Sequence, residues 1–61
     1  MDTLQKVKEI MLDVVSITNE TRVKVRNAHE VEHLIEILAR EYPQMAQAIC
    51  FLRVIEVLKQ N

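Results

Sequence analysis

Two histidines and a glutamate form the most chemically suggestive spacing in this chain. Residues 29–33 read H-E-V-E-H, in which His29, Glu30 and His33 fit the H-E-x-x-H pattern of zinc proteases. On a helix, side chains four residues apart share a face, so both imidazoles could reach one zinc ion. The glutamate could then act as general base on the metal-bound water, and Glu36, one turn further on, could be a third ligand.

The surroundings of this motif argue against a metalloprotease. The helix face that carries it lies opposite an apolar stripe, and it also carries Arg40. A bound metal would therefore stand on open solvent, whereas a substrate site needs a pocket. We predict no metal, and we keep His29, His33 and Glu36 only as weak candidate ligands.

The remaining residues suggest no other catalytic or cofactor site. The chain has no glycine, which excludes glycine-rich phosphate loops and dinucleotide fingerprints. Cys50 lies in an apolar run and is predicted to be a buried structural residue. No serine, histidine and acid have a spacing that indicates a nucleophile. We therefore predict a protein that is not an enzyme, with no catalytic residues and no cofactor.

Hydrophobic spacing divides the chain into three predicted helices. Apolar residues at steps of three and four predict the first over residues 3–17, capped by Asp2. The second is predicted over 28–41, capped by Asn27. The third begins at Pro43, because proline suits the first position of a helix and pushes the preceding residue out of the helical region.

The segment 18–26 admits two interpretations. Its β-branched residues and its alternation favour a strand. A helix is the alternative, because Thr18, Thr21, Val25 and Ala28 continue a helical spacing. We predict a short strand or turn, within a fold that is otherwise all-α.

The basic residues Arg22, Lys24 and Arg26 lie in this segment and would project from one side of a strand. A strand followed by two helices resembles the ribbon-helix-helix DNA-binding proteins, whose paired strands enter the major groove. The resemblance covers residues 21–60 and implies a dimeric transcriptional regulator that contacts DNA through these three cations. Pro43 departs from the pattern, since it replaces the usual glycine between the two helices.

The third predicted helix is apolar on most of its circumference, and such a helix must be buried on most of it. Two amphipathic helices in a 61-residue chain could hardly enclose it. We therefore predict that it is largely buried in a homodimeric helical bundle. The interface between subunits is predicted to contain Met45, Ile49, Leu52 and Ile55.

Length and charge limit the remaining choices. Residues 1–61 make one small domain, of a size that commonly relies on disulfides, a metal or oligomerisation. Cys50 is the only cysteine, which excludes an internal disulfide and indicates a cytoplasmic setting. Eight basic and nine acidic residues produce no field that favours an anionic partner, and no apolar run is long enough to cross a membrane.

Together these features predict a small cytoplasmic regulator or adaptor. It would act by protein–protein interaction, as a homodimer or higher oligomer that binds a larger protein. The alternative is the DNA-binding dimer, with DNA as partner; no membrane partner is expected.

Overall fold

The computed structural model describes residues 2–60, which form four α-helices and no strand. In chain order, α1 spans Thr3–Leu12, α2 spans Asn19–Asn27, α3 spans Val31–Glu41 and α4 spans Gln44–Lys59. The all-α class is confirmed. The expectation of three helices with a short strand over 18–26 is wrong.

The segment interpreted as a strand is α2. Thr18 is its N-cap, and the Thr18 Oγ1 accepts a hydrogen bond from the backbone N–H of Thr21 at 3.1 Å. Thr21, Val25 and Ala28 are buried along one side, at helical spacing. Glu20 in the first turn complements the helix macrodipole, as do basic residues in the last turn. Capping and one buried stripe therefore outweigh the strand preference of the β-branched residues.

The first helix ends five residues earlier than its apolar spacing predicts. The guanidinium of Arg22 donates hydrogen bonds to the carbonyl oxygens of Leu12 and Val14, at 2.9 and 3.0 Å. The Tyr42 hydroxyl donates to the carbonyl oxygen of Met11 at 2.7 Å. The last carbonyls of a helix lack partners within it. Side chains from α2 and from the α3–α4 connection therefore satisfy the end of α1.

The predicted start of the second helix is also corrected. Asn27 is not a cap but the last residue of α2, and α3 begins at Val31. Ala28 and Glu30 both have extended backbone conformations, and Ala28 is buried. The buried alanine anchors a tight connection, which leaves no room for the helix to begin at residue 28.

The break at Pro43 occurs as predicted, with α3 ending at Glu41 and α4 beginning at Gln44. The side-chain amide of Gln47 donates to the carbonyl oxygen of Ala39 at 2.7 Å, which satisfies one of the last carbonyls of α3. Tyr42 and Pro43 are both extended. The two helices consequently meet at a fixed corner.

Helices α1 and α3 are at the centre of the packing, since each contacts all three other helices, whereas α2 does not contact α4. Lys8 of α1 also donates to the carbonyl oxygen of Arg26 at the end of α2, at 2.7 Å. Every helix contributes buried apolar side chains to one core. They are Val7, Met11, Ile17, Val25, Ala28, Leu34, Ile37, Leu38, Tyr42, Cys50 and Val54.

Within a single chain, helix α4 is only partly buried, and its predicted burial in a homodimer stays a prediction. Only Cys50 and Val54 are fully enclosed, because α1 and α3 cover a single side of the helix. The radius of gyration is nevertheless 10.4 Å, close to the roughly 10.5 Å expected for a compact chain of this length. Residues 2–60 therefore pack compactly around a core of their own.

Candidate interaction surface

The side of α4 that faces away from the core is apolar over its first three turns. At 100° per residue, this side lies opposite Cys50 and Val54. Its large side chains are those predicted from the sequence as an interface, and all are exposed. The exposed fractions are 82% for Met45, 63% for Ile49, 68% for Leu52 and 42% for Ile55.

These four residues, together with Ala48, are called the α4 face below. Met45, Ala48, Leu52 and Ile55 follow one another at steps of three, four and three residues, and the next step of four reaches Lys59. This is the a/d spacing with which helices pair in coiled coils. The pattern extends over only about three turns, but it is suited to contact with another helix.

Several contacts hold α4 in place on the subunit. Ala46, Phe51 and Val57 pack partly buried against the core. At the surface, the Arg53 Nη1 lies 3.4 Å from Oδ2 of Asp13, the residue that follows α1. This ion pair is exposed and contributes little, so packing fixes the helix. The α4 face is therefore presented on a supported helix.

The three basic residues proposed for DNA do not form one surface. Two residues apart on a helix, Arg22 and Lys24 point about 200° apart. The guanidinium of Arg22 is bonded to the end of α1, and the Lys24 Nζ lies 2.9 Å from Oε2 of Glu41 and 3.9 Å from Oε1 of Glu20. Of the three, only Arg26 has a side chain with no hydrogen bond or ion pair within residues 2–60. A strand with three free cations on one side is absent from this part of the chain.

The pair of Lys24 and Glu41 instead links α2 to the end of α3. Its hydrogen bond raises the pKa of Lys24 and lowers the pKa of Glu41. The Thr21 hydroxyl also donates to Oε1 of Glu41, at 3.1 Å. Lys24 therefore has partners within the chain, at the surface between α2 and α3.

The two histidines of the H-E-x-x-H motif do not lie on the same helix. His29 precedes α3 and only His33 lies on it, so the spacing of four no longer places both rings on one helix face. Both line a depression of about 400 Å³ that is wide open to solvent, together with Glu36. The His33 Nδ1 lies 3.7 Å from Oε1 of Glu36. Among residues 2–60, no group of three or more histidine, cysteine or acidic side chains could hold a metal ion.

Cys50 is 1% exposed and lies in the core. Burial raises the pKa of its thiol, an effect that Arg53 only partly offsets. Since the thiolate is the reactive form, this environment disfavours nucleophilic chemistry at Cys50.

No family model, curated protein or solved structure matches this chain. Within residues 2–60, the helices are too short or too polar for any of them to span a membrane. Function is therefore inferred from the surfaces of the chain itself, among which the α4 face has the largest exposed apolar side chains.

Proposed function

We propose that this protein is a small, non-enzymatic regulator or adaptor that acts by protein–protein interaction as a homodimer. The α4 face is the contact between the two subunits. One observation carries this proposal: four large apolar side chains are exposed along one side of a helix, in a subunit whose core is complete without them. A cytoplasmic setting accords with a single, buried cysteine.

The energetics of the α4 face suit a dimer of moderate affinity. Burial of a fully exposed aliphatic side chain contributes about 1.5–3 kcal/mol. Leu52, at 68% exposed, would then contribute about 1–2 kcal/mol in each subunit. Two copies of the four side chains would together contribute about 8–15 kcal/mol. Association itself costs roughly 4–15 kcal/mol, so a micromolar dissociation constant, which corresponds to about 8 kcal/mol, requires a cost near the lower end of that range.

A larger protein partner would bind elsewhere on the dimer. Outside α4, the exposed large apolar residues within 2–60 are Val15, at 89%, and Val23, at 51%. Val15 lies between α1 and α2, and Val23 lies on α2, which does not contact α4. Dimer formation through α4 would leave both available.

Sedimentation of the Leu52→Glu variant tests the homodimer. We expect wild type to be dimeric at concentrations well above about 10 μM and the variant to be monomeric. The variant should keep its helical circular dichroism, because Leu52 is outside the core. Val23→Glu is the matched control, since it places the same charge at an exposed apolar position on α2, and it should remain dimeric.

Two results would contradict the proposal. One is a folded wild type that stays monomeric at several hundred micromolar, roughly a hundredfold above the expected dissociation constant. The other is a Leu52→Glu variant that dimerises as strongly as wild type.

A further inference from the structure

We propose that the α4 helices of the two subunits pack antiparallel, with Leu52 of each against Ala48 of the other, and that Glu56 of each lies at the N-terminus of the other's α4. This inference rests on the homodimer proposed above and specifies its geometry. It identifies the occupant of the α4 face as a second copy of the same face.

A parallel arrangement conflicts with the charges on α4. In a parallel pair each a/d residue meets its own copy. Lys59 continues the spacing of the α4 face, so its ammonium group would lie against an identical one. The uncapped N-termini of both helices would also lie side by side, with their partial positive charges together.

An antiparallel arrangement pairs apolar residues at the four a/d positions of the α4 face. If Leu52 lies opposite Ala48 of the partner subunit, Met45 lies opposite the partner's Ile55, and the reverse pairs follow from the two-fold axis. Each leucine then fills the space beside an alanine, and such alternation of large and small side chains packs well. In this register Lys59 lies past the first residue of the partner's α4, at the edge of the contact.

The same register places Glu56 opposite Gln44, the first residue of α4. The N-terminus there has no side-chain cap and no acidic residue in its first turn. The first N–H groups of a helix lack intrahelical partners and attract negative charge. Glu56 lies on the same side of α4 as Leu52, one turn later. Two symmetrical carboxylate contacts would therefore complete the ends of the two helices.

Disulfide trapping tests the orientation. Met45→Cys and Ile55→Cys are made singly, with Cys50→Ala to remove the native thiol. Both positions are exposed, so neither change disturbs the core. Ten residues of helix separate them by about 15 Å. In the antiparallel dimer, Met45→Cys should link to Ile55→Cys when the two variants are mixed, and neither should link to itself, since a disulfide requires Cα atoms within about 7 Å.

The outcomes separate this inference from the homodimer itself. Disulfides of Met45→Cys with itself and of Ile55→Cys with itself would overturn the antiparallel register. So would a dimer in which no combination of the variants forms a disulfide. Neither result would contradict the homodimer itself. Absence of a dimer in sedimentation of the reduced variants would contradict the homodimer. If Cys50→Ala impairs folding, the same pairs are tested with Cys50 retained, because its thiol is buried.

Glu56→Gln tests the carboxylate contact separately. Loss of two symmetrical charge–dipole contacts should raise the dissociation constant of the dimer about 3- to 30-fold. Glu9→Gln is the matched control, because Glu9 is an exposed glutamate on α1, and it should leave the dissociation constant unchanged. Equal behaviour of the two variants would contradict the placement of Glu56.

Discussion

Replacing Arg22 by methionine should destabilise the subunit, although Arg22 belongs to a run of basic residues that resembles a binding site. The change removes hydrogen bonds of 2.9 and 3.0 Å from a charged donor to the carbonyls of Leu12 and Val14. Each bond to a charged group contributes about 1.5–3 kcal/mol, but the site is only partly buried and water can replace part of both. We expect a total loss of about 1.5–3 kcal/mol in the free energy of unfolding.

This loss is large for so short a chain, whose total stability should be about 3–9 kcal/mol. The melting temperature should fall by roughly 6–24 °C. Arg26→Met is the matched control, because it makes the same change one turn later on α2 at an exposed position, and its effect should stay within about 0.5 kcal/mol. Thermal and urea unfolding are followed by circular dichroism in the Leu52→Glu background, so that dimer dissociation does not enter the comparison. Equal effects of the two changes would refute the assignment of Arg22 as the cap of α1.

Three further outcomes follow from individual side chains. Tyr42, the only tyrosine, should ionise with a pKa of about 12, because burial disfavours the phenolate. The stability that the neutral Tyr42 side chain contributes is complete below pH 10 and is lost as the pH rises toward 12. A midpoint near pH 10 in an absorbance titration of the folded protein would contradict the burial of Tyr42. Because Lys24 lowers the pKa of Glu41 in the folded state, this pair stabilises the fold above pH 4.5, the pKa of the unfolded state, and loses that contribution as the pH falls. Thermal melts of Lys24→Met should therefore show a smaller loss of stability on acidification than those of wild type. An equal pH dependence of stability in the two proteins would count against the pair. Zinc at micromolar concentration should leave the melting temperature of wild type, and of His29→Ala with His33→Ala, unchanged; a rise of many degrees in wild type alone would reveal a tight site.

Features set by neighbouring residues were predictable from the sequence. The hydrogen bond of Asp2 to the backbone N–H of Gln5, at 2.7 Å, depends on residues three apart. The break between α3 and α4 depends on the ring of Pro43 and its steric effect on Tyr42. Both features follow from local chemistry, and both occur where expected.

The conformation of α2 was harder to predict, because two local preferences compete there. The alternating cations and valines favour a strand, whereas the spacing of Thr21, Val25 and Ala28 favours a helix. The choice depends on packing, since this stripe contributes Val25 and Ala28 to the core. The three cations consequently diverge, and the resemblance to ribbon-helix-helix proteins loses the strand on which it depended.

The contacts of Arg22 and Tyr42 have no signal in the sequence. Arg22 reaches back ten residues to Leu12, and the Tyr42 hydroxyl reaches back 31 residues to Met11. Such contacts form only after the helices have packed. They also end α1 at Leu12, which apolar spacing alone could not show.

The α4 face illustrates both the strength and the limit of hydrophobic spacing. The spacing predicted an apolar surface of Met45, Ile49, Leu52 and Ile55, and the structure shows all four side chains exposed. Spacing could not reveal that the chain would form its core without these four side chains. In the proposed homodimer, the second copy would add stability to a chain that already has a core.

The homodimer is tested most directly by backbone amide NMR spectra recorded over a dilution series that crosses the expected micromolar dissociation constant. Concentration-dependent shifts should be confined to α4 around Met45, Ile49, Leu52 and Ile55, with α2 unchanged. Spectra that do not change with concentration, or changes centred on α2 instead, would contradict the assignment of the α4 face as the subunit interface.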